Sequence, residues 1–189
     1  MNDFERFRFL LTRRGLLGAG LGLLVAWPRA RGSDVPRSAG PYVPTPSVIV
    51  ERMLQVAKVG PEDFVVDLGS GDGRMVRTAA RMYGASGFGV DIDPALVARS
   101  NAEAEREGLG ARAVFYQRDV FQADVSKATV VTLYVLPEMM VGLRPKLLAE
   151  LKPGTRIVSH DYHFREWQPD DRWSFDVPEK KEAVGFSST

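Results

Sequence analysis

The chain has 189 residues, of which 44% are hydrophobic and 26% charged, as is typical of a globular protein with one core. Its formal net charge of +1 gives no sign of a surface built to bind nucleic-acid phosphates. Cysteine is absent, which excludes disulfides, thiolate metal sites and a cysteine nucleophile.

The first 32 residues differ in character from the rest of the chain. Basic side chains near the start, among them the pair Arg13-Arg14, precede an uncharged apolar run, Gly15–Trp27. This order is typical of an export signal, and the paired arginines are typical of the twin-arginine kind. The run has 13 residues, fewer than the ~20 that span a bilayer. We therefore predict that residues 1–32 are an export-type signal or a membrane anchor.

Residues 33–44 are predicted to be a linker, because glycine, serine and proline are frequent there, and residues 45–189 to be the folded domain. Removing residues 1–30 takes five arginines and two acids from the 25 basic and 24 acidic residues, which leaves 20 and 22. The remaining chain is near neutral. This charge balance argues against a binding surface for RNA.

From Thr45 onward, apolar strands alternate with amphipathic helices. A helix is predicted to begin with Thr45 as its N-cap and to run toward Gly60. The helix after residue 138 is predicted to be interrupted at Pro145. Strands are expected at 64–66, 87–90, 113–116, 129–134 and 155–159, and further helices at 74–83 and 94–107. The alternation predicts an α/β domain with a mostly parallel sheet and helices on both faces.

A glycine-rich loop follows the first of these strands, in the stretch VVDLGSGDGR at 65–74. Ligands bind beyond the carboxyl ends of parallel strands, and glycines let a ligand approach the backbone closely. The loop is one residue shorter than a dinucleotide fingerprint. Asp67 and Asp72 would repel a pyrophosphate, but they suit a ligand that carries an ammonium or sulfonium group. Asp91 ends the next strand and is placed to accept hydrogen bonds from ribose hydroxyls.

Three motifs in chain order, VVDLGSGDGR, GVDID and RDVF, resemble those of class I (seven-β-strand) S-adenosylmethionine-dependent methyltransferases. The resemblance implies a Rossmann-like fold with S-adenosyl-L-methionine as cofactor. It places Asp91 at the ribose, Ile92 against the adenine ring and Asp119 at the adenine amino edge. It implies that the glycine loop holds the methionine part of the cofactor, through Asp67, Gly69, Ser70, Gly71, Asp72 and Gly73.

Tyr42 and Thr45 precede the first helix, where this superfamily often folds a segment over the cofactor. The resemblance therefore implies that they contribute to cofactor binding. Ordinary packing of Tyr42 against the domain is the alternative.

A further set of stretches is similar to one small family. PYVPTP at 41–46, VVTLYVLPEMM at 130–140 and PGTRIVSHDY at 153–162 resemble methyltransferases related to the mitochondrial protein-lysine N-methyltransferases of the ATP synthase c-ring and the ADP/ATP carrier. The resemblance implies that the acceptor is a lysine of a membrane protein. About 30 residues follow the fifth strand, so the last two strands of the superfamily are expected to be short or incomplete, in RWSFDV and AVGFSST.

Candidate catalytic residues follow the fourth and fifth strands. Tyr134 occupies the usual acceptor position, in a segment that lacks the Asn/Asp-Pro-Pro-Tyr sequence of amide and adenine amino methyltransferases. His160 and Asp161 end the fifth strand, and a strand that continued would point them to opposite sides. We predict that they lie at the rim of the acceptor site, with structural hydrogen bonding as the alternative. No metal site is predicted.

The predicted function is transfer of a methyl group from S-adenosylmethionine to a lysine of a membrane-associated protein. The alternatives are methylation of a small molecule or RNA, and a cofactor-binding protein without transfer activity. No specific nucleic-acid partner is expected. The absence of cysteine excludes the thiolate route to C5-methylcytosine, and the loop length and Asp67 disfavour an NAD-dependent oxidoreductase.

The predicted location has to satisfy two constraints. S-Adenosylmethionine is made and kept in the cytoplasm, whereas the twin arginines favour export. An apolar run that lies in the membrane interface, with the arginines and the domain both on the cytoplasmic face, satisfies both. We therefore predict membrane association through residues 1–32 on the cytoplasmic face, and periplasmic export by the twin-arginine route is the alternative.

Overall fold

A computed structural model describes residues 10–12 and 42–174. In this part of the chain, one sheet contains six strands in the order β1-β6-β5-β2-β3-β4. Five of these strands are parallel, and β1 runs antiparallel to β6, so the predicted α/β class is confirmed. The strands are β1 (Leu10–Thr12), β2 (Phe64–Leu68), β3 (Ser86–Asp91), β4 (Ala113–Gln117), β5 (Val130–Leu133) and β6 (Arg156–Ser159). The helices are α1 (Ser47–Val56), α2 (Arg74–Tyr83), α3 (Pro94–Arg106) and α4 (Pro137–Glu150).

Helices cover both faces of the sheet. Alternate residues of the central strands point to opposite layers: Val65 and Val130 pack with α1 and α2, whereas Val66 and Leu133 pack with α4. Because both faces are covered, the central strands are apolar at nearly every position, as the sequence predicts.

The strand order of the sheet reverses beside β2. Strand β2 pairs in parallel with β3 on one side and with β5 on the other. The chain passes from β2 through α2 to β3, and it returns to β5 only after β4. The loops after β2 and β5 therefore lead away from each other and leave a crevice at the carboxyl end of the sheet.

The start of α1 differs from the prediction. Pro46, and not Thr45, takes the N-cap position, and its carbonyl accepts hydrogen bonds from the N–H groups of Ile49 and Val50. The Thr45 hydroxyl lies instead 3.4 Å from Nδ1 of His160, at the end of β6. The Thr45 side chain, which the local sequence predicts to cap the helix, therefore contacts a residue that is distant in sequence instead.

The prediction that Pro145 interrupts the helix is wrong, because α4 continues through it. Proline removes the hydrogen bond to the carbonyl of Val141, four residues earlier. Val141 is 45% exposed, so water can hydrate that carbonyl. Leu143 and Leu147 are fully buried on the opposite side, and their packing holds the helix in place.

The sequence does not predict the edge strand β1. Leu10, Leu11 and Thr12 pair with Val158, Ile157 and Arg156. The sequence assigns these three residues to a segment outside the folded domain, but here they satisfy backbone groups that β6 would otherwise leave open at the sheet edge.

The other residues of the segment 1–32 lie outside the described part of the chain, as do 33–41 and 175–189. The targeting segment, most of the linker and most of the expected C-terminal strands therefore stay predictions.

Gly87 allows two strands to approach closely. It pairs with Val65, and a β-carbon at residue 87 would overlap the carbonyl oxygen of Val65. We predict that Gly87→Ala lowers the free energy of unfolding by about 3 kcal/mol, the upper end of the range for overpacking, as measured by urea denaturation. Gly60→Ala is the control, since a β-carbon there meets no atom of the described residues within 4 Å. Equal transition midpoints for the two variants would contradict this prediction.

Candidate active site

The glycine loop after β2 adopts a backbone that glycine favours. Gly69, Gly71 and Gly73 have φ angles of 86°, 53° and 78°. A β-carbon at Gly71 would lie 2.5 Å from a ring carbon of Tyr42. Tyr42 therefore packs directly on the loop, and the segment before α1 lies over it.

Asp67 is a buried acid near the end of β2. Its Oδ1 accepts a hydrogen bond of 2.6 Å from the hydroxyl of Thr132, its register partner on β5. Burial raises the pKa of Asp67 to about 7, and although Thr132 opposes this, the charges of Asp91 and Asp72 add to it. A cation beside Asp67 would favour the ionised carboxylate, because an opposite charge lowers the pKa of an acid.

Asp72 is neutralised by Arg74, a residue that the sequence analysis does not single out. The Arg74 guanidinium donates to both carboxylate oxygens of Asp72, at 2.8 and 2.7 Å, and to the carbonyl of Thr45 at 2.7 Å. Burial alone would raise the pKa of Asp72, but the hydrogen bonds and charge of Arg74 lower it. Asp72 thus holds Arg74 in place, and Arg74 ties the segment before α1 to the glycine loop. The signal in the sequence is an acid and an arginine two residues apart at the start of a helix.

Asp91 also has a structural role. Its Oδ2 accepts from the N–H of Gly71 at 2.8 Å, and its Oδ1 accepts from the N–H of Asp93 at 3.0 Å. Each carboxylate oxygen has a further lone pair that can accept from a ligand hydroxyl. Ile92, the next residue, is 44% exposed and presents an apolar surface.

These residues surround a cleft of about 250 Å³ at the carboxyl end of β2. It is lined by most of the residues predicted to bind the cofactor, namely Tyr42, Thr45, Asp67, Gly69, Ser70, Gly71, Asp72, Asp91 and Ile92. Gly73 and Asp119 lie outside this lining. Gly73 is the N-cap residue of α2, and a β-carbon there would collide with Phe115. The Asp119 carboxylate accepts from the N–H of Phe121 and caps a short 3₁₀ helix.

The side chains that line the cleft are chemically suited to bind S-adenosylmethionine. Asp67 suits the cationic methionine end, Asp91 suits hydroxyl groups, and Ile92 suits a flat apolar ring. The hydroxyl oxygen of Ser70 is buried against Gly89 of β3 and has no hydrogen-bond partner among the described residues.

The three predicted catalytic residues lie next to one another, and one of them, Tyr134, lines the cleft. Tyr134 lines the cleft, and its ring centroid is 4.0 Å from that of His160. Burial and the nearby charge of Asp161 raise the pKa of Tyr134. Because β6 ends at Ser159, the alternation of a strand does not separate His160 from Asp161, and His160 Nε2 lies 3.6 Å from Asp161 Oδ1.

His160 and Asp161 lie behind Tyr134, outside the lining of the cleft. Their assignment to the acceptor site stays a prediction. Within residues 10–12 and 42–174, no group of three or more histidine or acidic side chains is arranged to hold a metal ion.

Comparison with known proteins places the chain among methyltransferases. Residues 67–171 match the family described as the ANTKMT methyltransferase domain. A protein-lysine N-methyltransferase of Saccharolobus islandicus is 45% identical over 130 residues, which cover 68% of this chain and 81% of that protein. The adenine nucleotide translocase lysine N-methyltransferase of Mus musculus is 31% identical over 186 residues, which cover 92% of this chain and 80% of that protein.

A solved structure is similar over nearly its whole length. The crystal structure of an RNA methyltransferase from Salinibacter ruber in complex with S-adenosyl-L-homocysteine superposes with a TM-score of 0.68 and 46% identity. The match covers 72% of this chain and 97% of that one. S-Adenosylhomocysteine is therefore a suitable probe for the cleft.

Asp67→Asn is predicted to stabilise the ligand-free protein while weakening ligand binding. An acid whose pKa rises from 3.8 to about 7 on folding makes the folded state less stable as the pH rises between those values. The amide has no such charge, so we expect its free energy of unfolding in urea to exceed that of wild type by about 4 kcal/mol at pH 8, and by less than half of that at pH 5. Calorimetry should show S-adenosylhomocysteine binding weakened by about 1.5–3 kcal/mol.

Glu62→Gln is the control for Asp67→Asn, because Glu62 is an exposed acid just before β2. Its stability should follow that of wild type at both pH values. If the stability difference between Asp67→Asn and wild type were the same at pH 5 and pH 8, the raised pKa of the Asp67 carboxyl in the folded protein would be contradicted.

Arg74→Lys is predicted to weaken S-adenosylhomocysteine binding about tenfold. Lysine keeps the charge but cannot bond to both oxygens of Asp72 and to the Thr45 carbonyl at once. Arg81→Lys is the matched control on the same helix, since Arg81 bonds to Glu107, and it should leave the affinity unchanged. Urea denaturation shows whether both variants are folded, and equal affinities for the two would contradict the positioning role of Arg74.

Proposed function

The chain belongs to the ANTKMT methyltransferase family, and we propose that it methylates the ε-amine of a lysine in a membrane-associated protein. It is an S-adenosylmethionine-dependent methyltransferase, as its family and a solved relative with S-adenosylhomocysteine bound establish. The predicted enzyme class and cofactor are thereby confirmed. The nature of the acceptor is the proposed part.

The position of Asp161 beside the cleft carries this proposal. S-Adenosylmethionine supplies a methyl group on a sulfonium, and the protein has to hold an acceptor atom in line with it. Tyr134 lines the cleft and its ring contacts His160, which lies 3.6 Å from Asp161. A carboxylate is therefore held close to Tyr134, at the end of the cleft where we place the acceptor. A lysine side chain approaches as an ammonium, which a carboxylate attracts, and it has to lose a proton to solvent before it can react.

RNA is the second candidate acceptor, because the similar Salinibacter ruber structure is described as an RNA methyltransferase. A binding site for RNA needs clustered lysine and arginine side chains that contact phosphates. Asp161 would repel a phosphate at the same position. The charge at this end of the cleft therefore favours a cationic acceptor over a nucleic acid.

Membrane association is proposed through residues 1–32, with the domain on the cytoplasmic face where the cofactor is available. The apolar run Gly15–Trp27 supports it, as does the relative named for the adenine nucleotide translocase. In the described part of the chain, no helix combines the length and apolarity needed to cross a membrane. Periplasmic export is the alternative, and a protease added to intact spheroplasts distinguishes the two, since it should leave a C-terminal tag undigested.

We predict that the purified full-length chain transfers labelled methyl groups to protein in membranes from a strain that lacks the gene. Tandem mass spectrometry should locate the label on lysine, and RNA in the same extract should stay unlabelled. Leu23→Asp with Leu24→Asp in the apolar run should slow methylation of intact membranes but not of detergent-solubilised acceptor, and this variant keeps β1 intact. Label in RNA and not in protein would overturn the proposed acceptor.

A further inference from the structure

A second aromatic ring lies next to Tyr134. The ring centroids of Tyr134 and Tyr162 are 6.3 Å apart, and their planes differ by only 18°. Tyr134 lines the cofactor cleft and is half-buried, and Tyr162 is also half-buried. The two rings therefore form a nearly parallel pair that begins at the cleft.

A strained turn sets the position of Tyr162. The N–H of Tyr162 donates to the carbonyl of His160 at 2.7 Å, which closes a turn of three residues. Asp161, at the centre of this turn, has a φ of 62°, in the left-handed region that non-glycine residues rarely adopt. Turns of this kind are rare, and strained backbone of this kind clusters at functional sites.

Two carboxylates accompany the rings. Asp161 lies 3.6 Å from Nε2 of His160, whose ring contacts Tyr134, and the Asp161 side chain is 8% exposed. Glu138 lies in the first turn of α4, directly after the loop that follows β5, and it is exposed. Burial raises the pKa of Tyr162, and the charges of Asp161 and Glu138 add to this effect.

We propose that Tyr134, Tyr162, Asp161 and Glu138 form the binding site for the cationic head of the acceptor side chain, with Tyr162 and Glu138 as the residues that select it. The proposal rests on the proposed function in that the cation is a lysine ammonium. The faces of aromatic rings attract cations, and the carboxylates attract them over a longer range. A phosphate or a neutral amide gains neither interaction.

The same arrangement suits a lysine that already carries methyl groups. Methylation removes N–H donors from the ammonium but leaves its positive charge, and aromatic faces bind alkylated ammonium groups well. The site therefore accepts the products of the first and second transfers as well as the unmodified lysine.

The test measures binding to the full-length chain loaded with S-adenosylhomocysteine, so it does not depend on methyl transfer. The probes are the methylamides of N-acetyl-lysine, N-acetyl-dimethyllysine and N-acetyl-norleucine, detected by saturation-transfer NMR. Norleucine has a similar shape and no charge. We expect the two lysine probes to bind with affinities within about threefold of each other, and norleucine to bind at least tenfold more weakly.

Variants assign the binding to the named residues. Tyr162→Leu should weaken lysine-probe binding about three- to thirtyfold, whereas Tyr162→Phe, which keeps the ring, should lose less. Glu138→Gln should weaken it several-fold. Glu150→Gln, at an acid of the same helix that pairs with Lys146, is the control and should leave probe binding unchanged. Affinity of S-adenosylhomocysteine should stay constant throughout and shows that each variant is folded.

Equal binding of lysine and norleucine probes, or full binding in both Tyr162→Leu and Glu138→Gln, would overturn this site. Its failure is distinguishable from failure of the proposed function. If membrane proteins are methylated on lysine but the probes do not bind here, the acceptor site lies elsewhere. If the probes bind as expected but no protein is methylated, the site is real and its acceptor is a different cationic amine.

Discussion

The burial of Asp67 is the constraint on which the cofactor cleft depends. Water is excluded from the central strand of a covered parallel sheet. Strand β2 nevertheless carries the Asp67 carboxyl near its end, and burial raises the pKa of this group to about 7. Of the groups that change this pKa, only the Thr132 hydroxyl on the neighbouring strand lowers it, because its hydrogen bond replaces part of the lost hydration. The acid therefore favours a ligand that brings a positive charge, and the energetic cost of its burial in the empty protein becomes selectivity for a cationic cofactor.

The other acids of the cleft are compensated within the protein itself. Arg74 binds Asp72 on both oxygens, and backbone N–H groups of the glycine loop and of the β3 terminus bind Asp91. Three carboxylates can therefore line one crevice because they are held in three different ways. Asp67 is left as the acid that most needs the ligand, whereas Asp72 and Asp91 fix the shape of the loop around it.

The sequence predicts the features that local patterns encode. The alternation of apolar strands with helices gives the sheet, and the placement of acids and glycines after strands gives the positions of Asp67, Asp91 and Tyr134 at one edge. Contacts between distant segments carry no such pattern. The contact between Thr45 and His160 joins residues 115 positions apart, and the strand pair of β1 and β6 is still more distant in sequence.

The segment 42–45 touches both functional ends of the site. Tyr42 packs on the glycine loop, Arg74 holds the Thr45 carbonyl, and the Thr45 hydroxyl faces His160 next to Tyr134. A displacement of this segment away from the glycine loop would also separate Thr45 from His160, which contacts Tyr134. The cofactor end and the acceptor end of the cleft are thus mechanically coupled through one short stretch of chain.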